Sequence, residues 1–232
     1  MYGSDEEQLE ALKNWWKENG TSLLMSVALA LVAFFGVRQW QSSQEAAAGV
    51  ASDLYQQLSE LAIGTISAPL TDEQLQQADA VYQRLKSDFD SSIYTRYAAL
   101  AMAKFLVDKG DEQRAAQELQ WILDNPNLGF LRKAEEELFM VARLRLARVK
   151  LSLGQPDAAM ALLKEVEPGS FAAGFAEVEG DILLEKGDVE GARAAYTRAL
   201  ASTQGVNPVL LQLKLQDLGV SPAARPPLVE NP

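Results

Sequence analysis

Two hydrophobic patterns divide the chain. Between Glu18 and Arg38 no residue carries a formal charge, and residues 23–37 are apolar apart from Ser26 and Gly36. At about 1.5 Å per residue the uncharged run spans roughly 26–28 Å as a helix, close to the ~30 Å hydrocarbon core of a bilayer. Beyond residue 43 apolar positions recur every three or four residues, in stretches rich in Ala, Leu, Glu, Gln, Lys and Arg and without β-branched alternation. That period belongs to amphipathic helices. It predicts helices over 44–62, 72–88, 92–109, 112–124, 131–153, 156–166, 171–186, 189–202 and 208–218. The breaks fall mostly at Pro69, Gly110-Asp111, Asn125-Pro126-Asn127, Gly154-Gln155-Pro156, Pro168-Gly169 and Gly187-Asp188, where the backbone turns or loses a donor. The expected fold class is all-α.

The flanks of the uncharged run carry Trp15, Trp16 and Lys17 on one side and Arg38 and Trp40 on the other. Indole rings settle at the headgroup level, so these five residues read as membrane-interface anchors of a transmembrane helix. A core helix of a soluble domain would keep a polar face, and this run has none. A cleaved signal would start with a short basic segment; here Asp5, Glu6, Glu7 and Glu10 precede the run, and the nearest small-x-small site, Ala46-Ala47-Ala48, lies past Arg38 and Glu45. Lys13 and Lys17 precede the span while only Arg38 follows it closely, which places the N-terminus in the cytoplasm by one basic residue.

Self-comparison of the remainder reveals a repeat. The stretch from Lys186-Gly187-Asp188 through Ala192, Tyr196 and Ala199, with Gly180 in the preceding helix, resembles the second half of a tetratricopeptide repeat. The glycine turns the chain between antiparallel helices, small alanines allow close approach, and Tyr196 fills the gap against the next helix. The same frame fits Gly154, Ala159, Leu163 and Val166, then Gly110, Ala115, Leu119 and Ile122, and more loosely Ala78, Tyr82 and Leu85. The alanines at 78, 115, 159 and 192 are separated by 37, 44 and 33 residues, so the expected array is short and irregular. The helix near 208–218 has the character of a terminal cap. The resulting division is a cytoplasmic segment at 1–20, a transmembrane helix at 21–40, a helical-repeat domain at 41–218 and a disordered, proline-rich tail at 219–232.

Composition narrows the chemistry. The chain has 21 basic and 32 acidic residues, a net charge of −11, and neither histidine nor cysteine. Nucleic acid would be repelled rather than bound. Thiolate or histidine catalysis, disulfides and His-ligated zinc are impossible, and nothing calls for a cofactor or a metal. The run Glu135-Glu136-Glu137 with Arg143, Arg145 and Arg148 reads as a solvated helix face with internal ion pairs, since consecutive helical positions diverge by about 100° and cannot converge on one substrate. The doublets Gly110-Asp111 and Gly187-Asp188 lack EF-hand spacing and read as helix-helix turns. An enzyme built on a carboxylate pair would need a deep pocket, which repeat helices do not supply.

Helical solenoids present the first helix of each pair on a concave surface. The frame places Tyr97, Leu100, Lys104 and Val107 there in one pair, Leu144, Arg148 and Leu151 in the next, and Glu177, Asp181 and Leu184 in the last. Such a surface suits broad peptide recognition, although any single position could equally pack against a neighbouring helix.

Several blocks carry a wider resemblance: Glu10-Ala11-Leu12-Lys13-Asn14-Trp15-Trp16-Lys17-Glu18-Asn19-Gly20, Arg38-Gln39-Trp40-Gln41-Ser42, Phe105-Leu106-Val107-Asp108-Lys109, Leu144-Arg145-Leu146-Ala147-Arg148-Val149, and Gly180 followed by Lys186-Gly187-Asp188 to Ala192-Arg193. Their order and spacing resemble the YfgM family, ancillary subunits of the bacterial SecYEG translocon. The resemblance implies a non-enzymatic inner-membrane protein with a short cytoplasmic segment and a periplasmic repeat domain. It implies as partners SecYEG, a PpiD-type periplasmic chaperone and translocating polypeptides. The alternative is an envelope scaffold that tethers other proteins without touching clients. The proline-rich end after Gly219 departs from the family pattern.

Overall fold

A computed structural model describes residues 3–64, 69–126, 132–201 and 206–219 of the chain. Among these residues the fold is all-α: α1 Gly3–Gly64, α2 Asp72–Asp88, α3 Ile93–Asp108, α4 Glu112–Asp124, α5 Arg132–Ser152, α6 Pro156–Lys164, α7 Ala172–Glu185, α8 Val189–Ala201 and α9 Pro208–Asp217, with one 3-10 turn at Gly169–Phe171. The expected disordered tail lies, beyond Gly219, outside the described residues. So do the first residue of the helix expected at 131–153, the last of that expected at 189–202, and most of the connector expected at 125–130.

The uncharged apolar run and the helix expected at 44–62 are one helix rather than two. Residues 41–48, Gln-Ser-Ser-Gln-Glu-Ala-Ala-Ala, contain no breaker, and Ser43 turns its hydroxyl back onto the Trp40 carbonyl at 2.8 Å instead of interrupting the ladder. By packing, the chain divides into two units, Met1–Val50 and Ala51–Pro232.

In the second unit the helices form stacked hairpins. The partners α3 and α4, α5 and α6, and α7 and α8 pack side by side, and α3 also meets α5 and α5 meets α7. The turns inside the three hairpins are built alike. Gly110, Gly154 and Gly187 have φ of +79°, +69° and +79°, a backbone that other residues adopt only with strain. The following N–H closes a wide bond to the carbonyl five residues back: Asp111 to Leu106 at 2.8 Å, Gln155 to Lys150 at 2.9 Å and Asp188 to Leu183 at 2.8 Å. This is the Schellman termination that a C′ glycine permits. Asp111 then caps α4 through the Arg114 N–H, and Asp188 accepts from the Gly191 N–H in the same register.

The two Lys-Gly-Asp turns share a further contact. Lys109 pairs with Asp72 at the start of α2, and Lys186 with Asp157 at the start of α6, each at 2.6 Å. Each lysine ties the end of one hairpin's first helix to the start of the helix that precedes it in the chain, and holds its partner carboxyl below the usual range by hydrogen bonding and then by charge.

The buried side chains form three clusters. The largest joins Ala51, Leu54 and Leu58 of α1 to α2, α3, α4 and α5, around Tyr82, Leu85, Phe105 and Ile122. The second lies among α5, α6 and α7 on Ala147, Leu163, Phe175 and Ile182, and the third joins α8 to α9 through Tyr196, Leu211 and Leu215. Helix α9 thus covers the apolar side of the last hairpin, the role the sequence assigned to a cap.

One expectation about α5 is corrected. Glu136 and Glu137 are exposed, but Glu135 is 3 % exposed because its position faces α3, where the guanidinium of Arg96 supplies an opposing charge. Arg143, Arg145 and Arg148 reach out of their own helix. Arg143 reaches Glu165 just past the end of α6, Arg148 reaches Glu177 of α7, and Arg145 reaches the Leu100 carbonyl of α3. Their long stems bridge stacked helices, which a solvated face with internal pairs would not do.

Candidate partner-binding face

The positions selected by the repeat frame lie on α3, α5 and α7, the helices that meet across hairpins. They differ in what each side chain touches. On α3, Tyr97 is half-buried and stacks at 5.9 Å on Tyr55 of α1, which also meets Tyr94 at 5.9 Å. Leu100 is buried, while Lys104 is exposed and pairs with Asp108 one turn along at 2.5 Å. On α5, Leu144 is half-buried against α7, touching the space above Gly174, and Arg148 is exposed.

On α7 the two carboxylates belong to a network that includes the cap. Lys214 of α9 donates to Asp181 at 2.7 Å and to Glu177 at 3.0 Å, the Tyr196 hydroxyl donates to Asp181 at 2.8 Å, and Arg148 stands 3.6 Å from Glu177. Glu177 is 8 % exposed, so its charge is held by fold contacts. Burial, then the bond to Asp181, raises the Tyr196 phenol well above its usual range. The structure therefore brings Arg148, Glu177 and Asp181 together, and leaves Tyr97 in an aromatic group with α1. Sequence reasoning missed Lys214, whose partners lie 33 and 37 residues away. It also set Arg145 in a solvated face rather than against α3, and missed the Tyr55–Tyr94 pairing. The tyrosines could have been flagged as polar-tipped aromatics at helical spacing, but nothing local marked the lysine.

Away from this face a second buried polar group fastens connectors. Arg96, 2 % exposed, donates to the Asn125 carbonyl at 2.7 and 3.2 Å and to the Ser92 carbonyl at 3.0 Å, so one guanidinium joins the end of α4 to the start of α3. Two open hollows of about 410 and 320 Å³ lie at α4 with the α5–α6 turn and at α6 with α7 and α8. Among the described residues each is lined by a single carboxylate, Asp124 in the first and Glu179 in the second.

The first unit is simpler. Among the described residues, one helix is long and apolar enough to cross a membrane, and almost none of its apolar stretch is buried. Leu29 and Val32 are 67 % and 71 % exposed, and Trp15, Trp16 and Trp40 are exposed at its flanks. Gly20 is covered, because without a Cβ it leaves room for the Trp16 indole, which would lie 3.1 Å from one.

Stacked hairpins with small residues at the crossings, joined to an unburied apolar helix, define a tetratricopeptide-like repeat protein. A family model described as a tetratricopeptide repeat-like domain matches residues 13–220. The chain is 33 % identical to the ancillary SecYEG translocon subunit of Escherichia coli (strain K12), over 95 % of this chain and 99 % of that one. It is 29 % identical to the protein of the same name from Haemophilus influenzae over 92 % and 97 %, and 26 % identical to that from Neisseria gonorrhoeae over 92 % and 97 %. No solved structure matches. The chain belongs to the family of ancillary SecYEG translocon subunits with a tetratricopeptide repeat-like domain.

Proposed function

We propose that this protein is a non-enzymatic, membrane-anchored ancillary subunit of a SecYEG translocon that helps pass translocated polypeptides to a PpiD-type periplasmic chaperone. The observation that carries the reading is the end-to-end likeness to translocon subunits in a chain that joins an unburied apolar helix to a helical-repeat domain. Residues 1–20 lie in the cytoplasm, 21–40 cross the inner membrane with Trp15, Trp16, Lys17, Arg38 and Trp40 at its interfaces, 41–218 form the periplasmic domain and 219–232 a tail. Partners bind on the face carrying Tyr97, Leu100, Lys104, Leu144, Arg148, Glu177 and Asp181. Half-buried aromatics and exposed cations on adjacent helices suit extended peptide segments.

A second reading, an envelope scaffold without client contact, has one observation in its favour. Glu177 and Asp181 are already engaged by Lys214, which leaves fewer contacts for a client.

In-cell photocrosslinking from Tyr97, Lys104, Arg148, Asp181 and Trp40, followed by identification of the captured proteins, tests both. Translocon subunits captured near Trp40, with chaperone or nascent envelope proteins at the other positions, is the expected result. Cytoplasmic proteins captured at Tyr97 or Arg148 would reverse the topology, and silence there would leave the scaffold.

A further inference from the structure

The cations on the face formed by α3, α5, α7 and α9 are matched by acids with one exception. Lys104 has Asp108, Arg148 has Glu177, and Lys214 has both Glu177 and Asp181. Arg145 has no carboxylate within ion-pairing distance among the described residues; its guanidinium makes a 3.3 Å bond to the Leu100 carbonyl. That bond carries the head of Arg145 across from α5 onto α3, where Lys104 follows one helical turn after Leu100. Arg148 lies one turn along α5 on the other side.

This arrangement is unfavourable as it stands. Closeness to the packed helices, and then the charge of Arg148, both disfavour the guanidinium's proton. In a chain with 32 acidic residues an acid could have been set opposite it. A cation beside another cation, with a carbonyl but no carboxylate for a partner, is a place where the acid of a ligand can complete the fold's electrostatics. The side chain is exposed, so a carboxylate can reach it. A guanidinium offers a planar fork that takes a carboxylate in a bidentate pair, and a neighbouring lysine and arginine would hold a second acid of the same segment.

We infer that Arg145, flanked by Lys104 and Arg148, is where this face takes an acidic segment of a protein partner. The inference rests on the proposed reading of the face as a partner-binding surface and adds the chemistry it selects. Charge complementarity decides the occupant: the chain carries a net charge of −11, so an acidic segment is repelled by the surface at large and favoured where cations gather, as at this cluster.

The test uses the full chain in phosphatidylcholine nanodiscs and two labelled glycine-serine peptides, one with a central Asp-Glu-Asp-Glu block and its Asn-Gln-Asn-Gln twin. Fluorescence anisotropy should show the acidic peptide bound about tenfold more tightly, a margin of one charge-assisted pair, with the preference shrinking as salt is raised. Arg145→Gln should abolish the preference without moving the thermal unfolding midpoint, since the carbonyl it leaves behind belongs to a helix; Arg145→Lys should restore part of it. Lys104→Gln should reduce the preference independently. Equal affinity for the two peptides, or a preference that survives Arg145→Gln, overturns the inference and leaves the binding face standing. Binding of neither peptide also overturns it, and the crosslinking experiment then decides the fate of the face separately.

Discussion

The ring of Tyr196 occupies the space that a side chain at Gly180 would need. A Cβ built on Gly180 would lie 2.4 Å from one ring carbon and 2.5 Å from another, and the ring cannot retreat because Tyr196 is 1 % exposed and its hydroxyl is bonded to Asp181. Helix α7 therefore meets α8 at the distance a bare backbone allows. Gly180→Ala gains about 1 kcal/mol of helix propensity. Overpacking costs roughly 1–3 kcal/mol and the rigid ring places this site at the upper end, so a net loss of about 1–2 kcal/mol is expected. Urea unfolding in detergent measures it, and in a Tyr196→Ala background the same substitution should become neutral or stabilising. A loss that persists there would mean the ring is not the obstacle.

Lys214 holds the cap to the last hairpin through charge as well as through Leu211 and Leu215. Replacing it by methionine keeps the stem but leaves, among the described residues, Glu177 with the 3.6 Å contact to Arg148 and Asp181 with the tyrosine hydroxyl. Leaving a buried group without its partner costs roughly 1–3 kcal/mol. The loss should be partly recovered by adding Glu177→Gln, because an amide is cheaper to bury than an unpaired carboxylate. Hydrogen exchange should speed up first in α9. Unchanged protection of α9 would show that the apolar contacts alone suffice.

These two sites differ in how far the sequence discloses them. Gly180 and Tyr196 are repeat positions that the frame read from Lys186-Gly187-Asp188 picked out, but that frame set the ring against the next helix, whereas it lies against Gly180 of the preceding one. The helix ends were equally legible, because glycine, proline and capping side chains act on their own turn: Thr71 and Gln74 close a capping box at α2, and Asn207 caps α9 ahead of Pro208. Lys214 was not legible, since an ion pair across three dozen residues leaves no local signal. Neither was the burial of Glu135 beside two exposed glutamates, which depends on Arg96 arriving from another helix. The fusion of the apolar run with the next helix was readable only as the absence of a breaker.

Glu135 gives a pH prediction of definite sign. Burial raises its carboxyl above the usual value, against a smaller opposing pull from Arg96, and its Oε2 has no hydrogen-bond partner among the described residues. Between the unfolded value, about 4.3, and the raised folded value the folded state binds more protons than the unfolded chain, so stability falls as pH rises through that window. Glu135→Gln removes the step. Urea midpoints measured from about pH 4 upward should converge at the acid end of the window and diverge above it, with the variant the flatter of the two. Parallel curves would show that Arg96 cancels the cost of burial.

Arg148 separates binding from stability. Its side chain is 45 % exposed and its contact with Glu177 is long, so the pair contributes about 0–1 kcal/mol to folding. Arg148→Glu places a carboxylate near Glu177, but Lys214 remains 3.0 Å from that residue and limits the repulsion. The thermal midpoint should therefore move by only a few degrees, corresponding to about 1 kcal/mol. Partner capture by a probe at Tyr97, on the neighbouring helix and unaltered, should fall severalfold, since like charges across an interface cost more than the loss of one attraction. Capture at Tyr97 that is unchanged by the reversal would show that partners do not reach α5, and would confine binding to the aromatic group of Tyr55, Tyr94 and Tyr97.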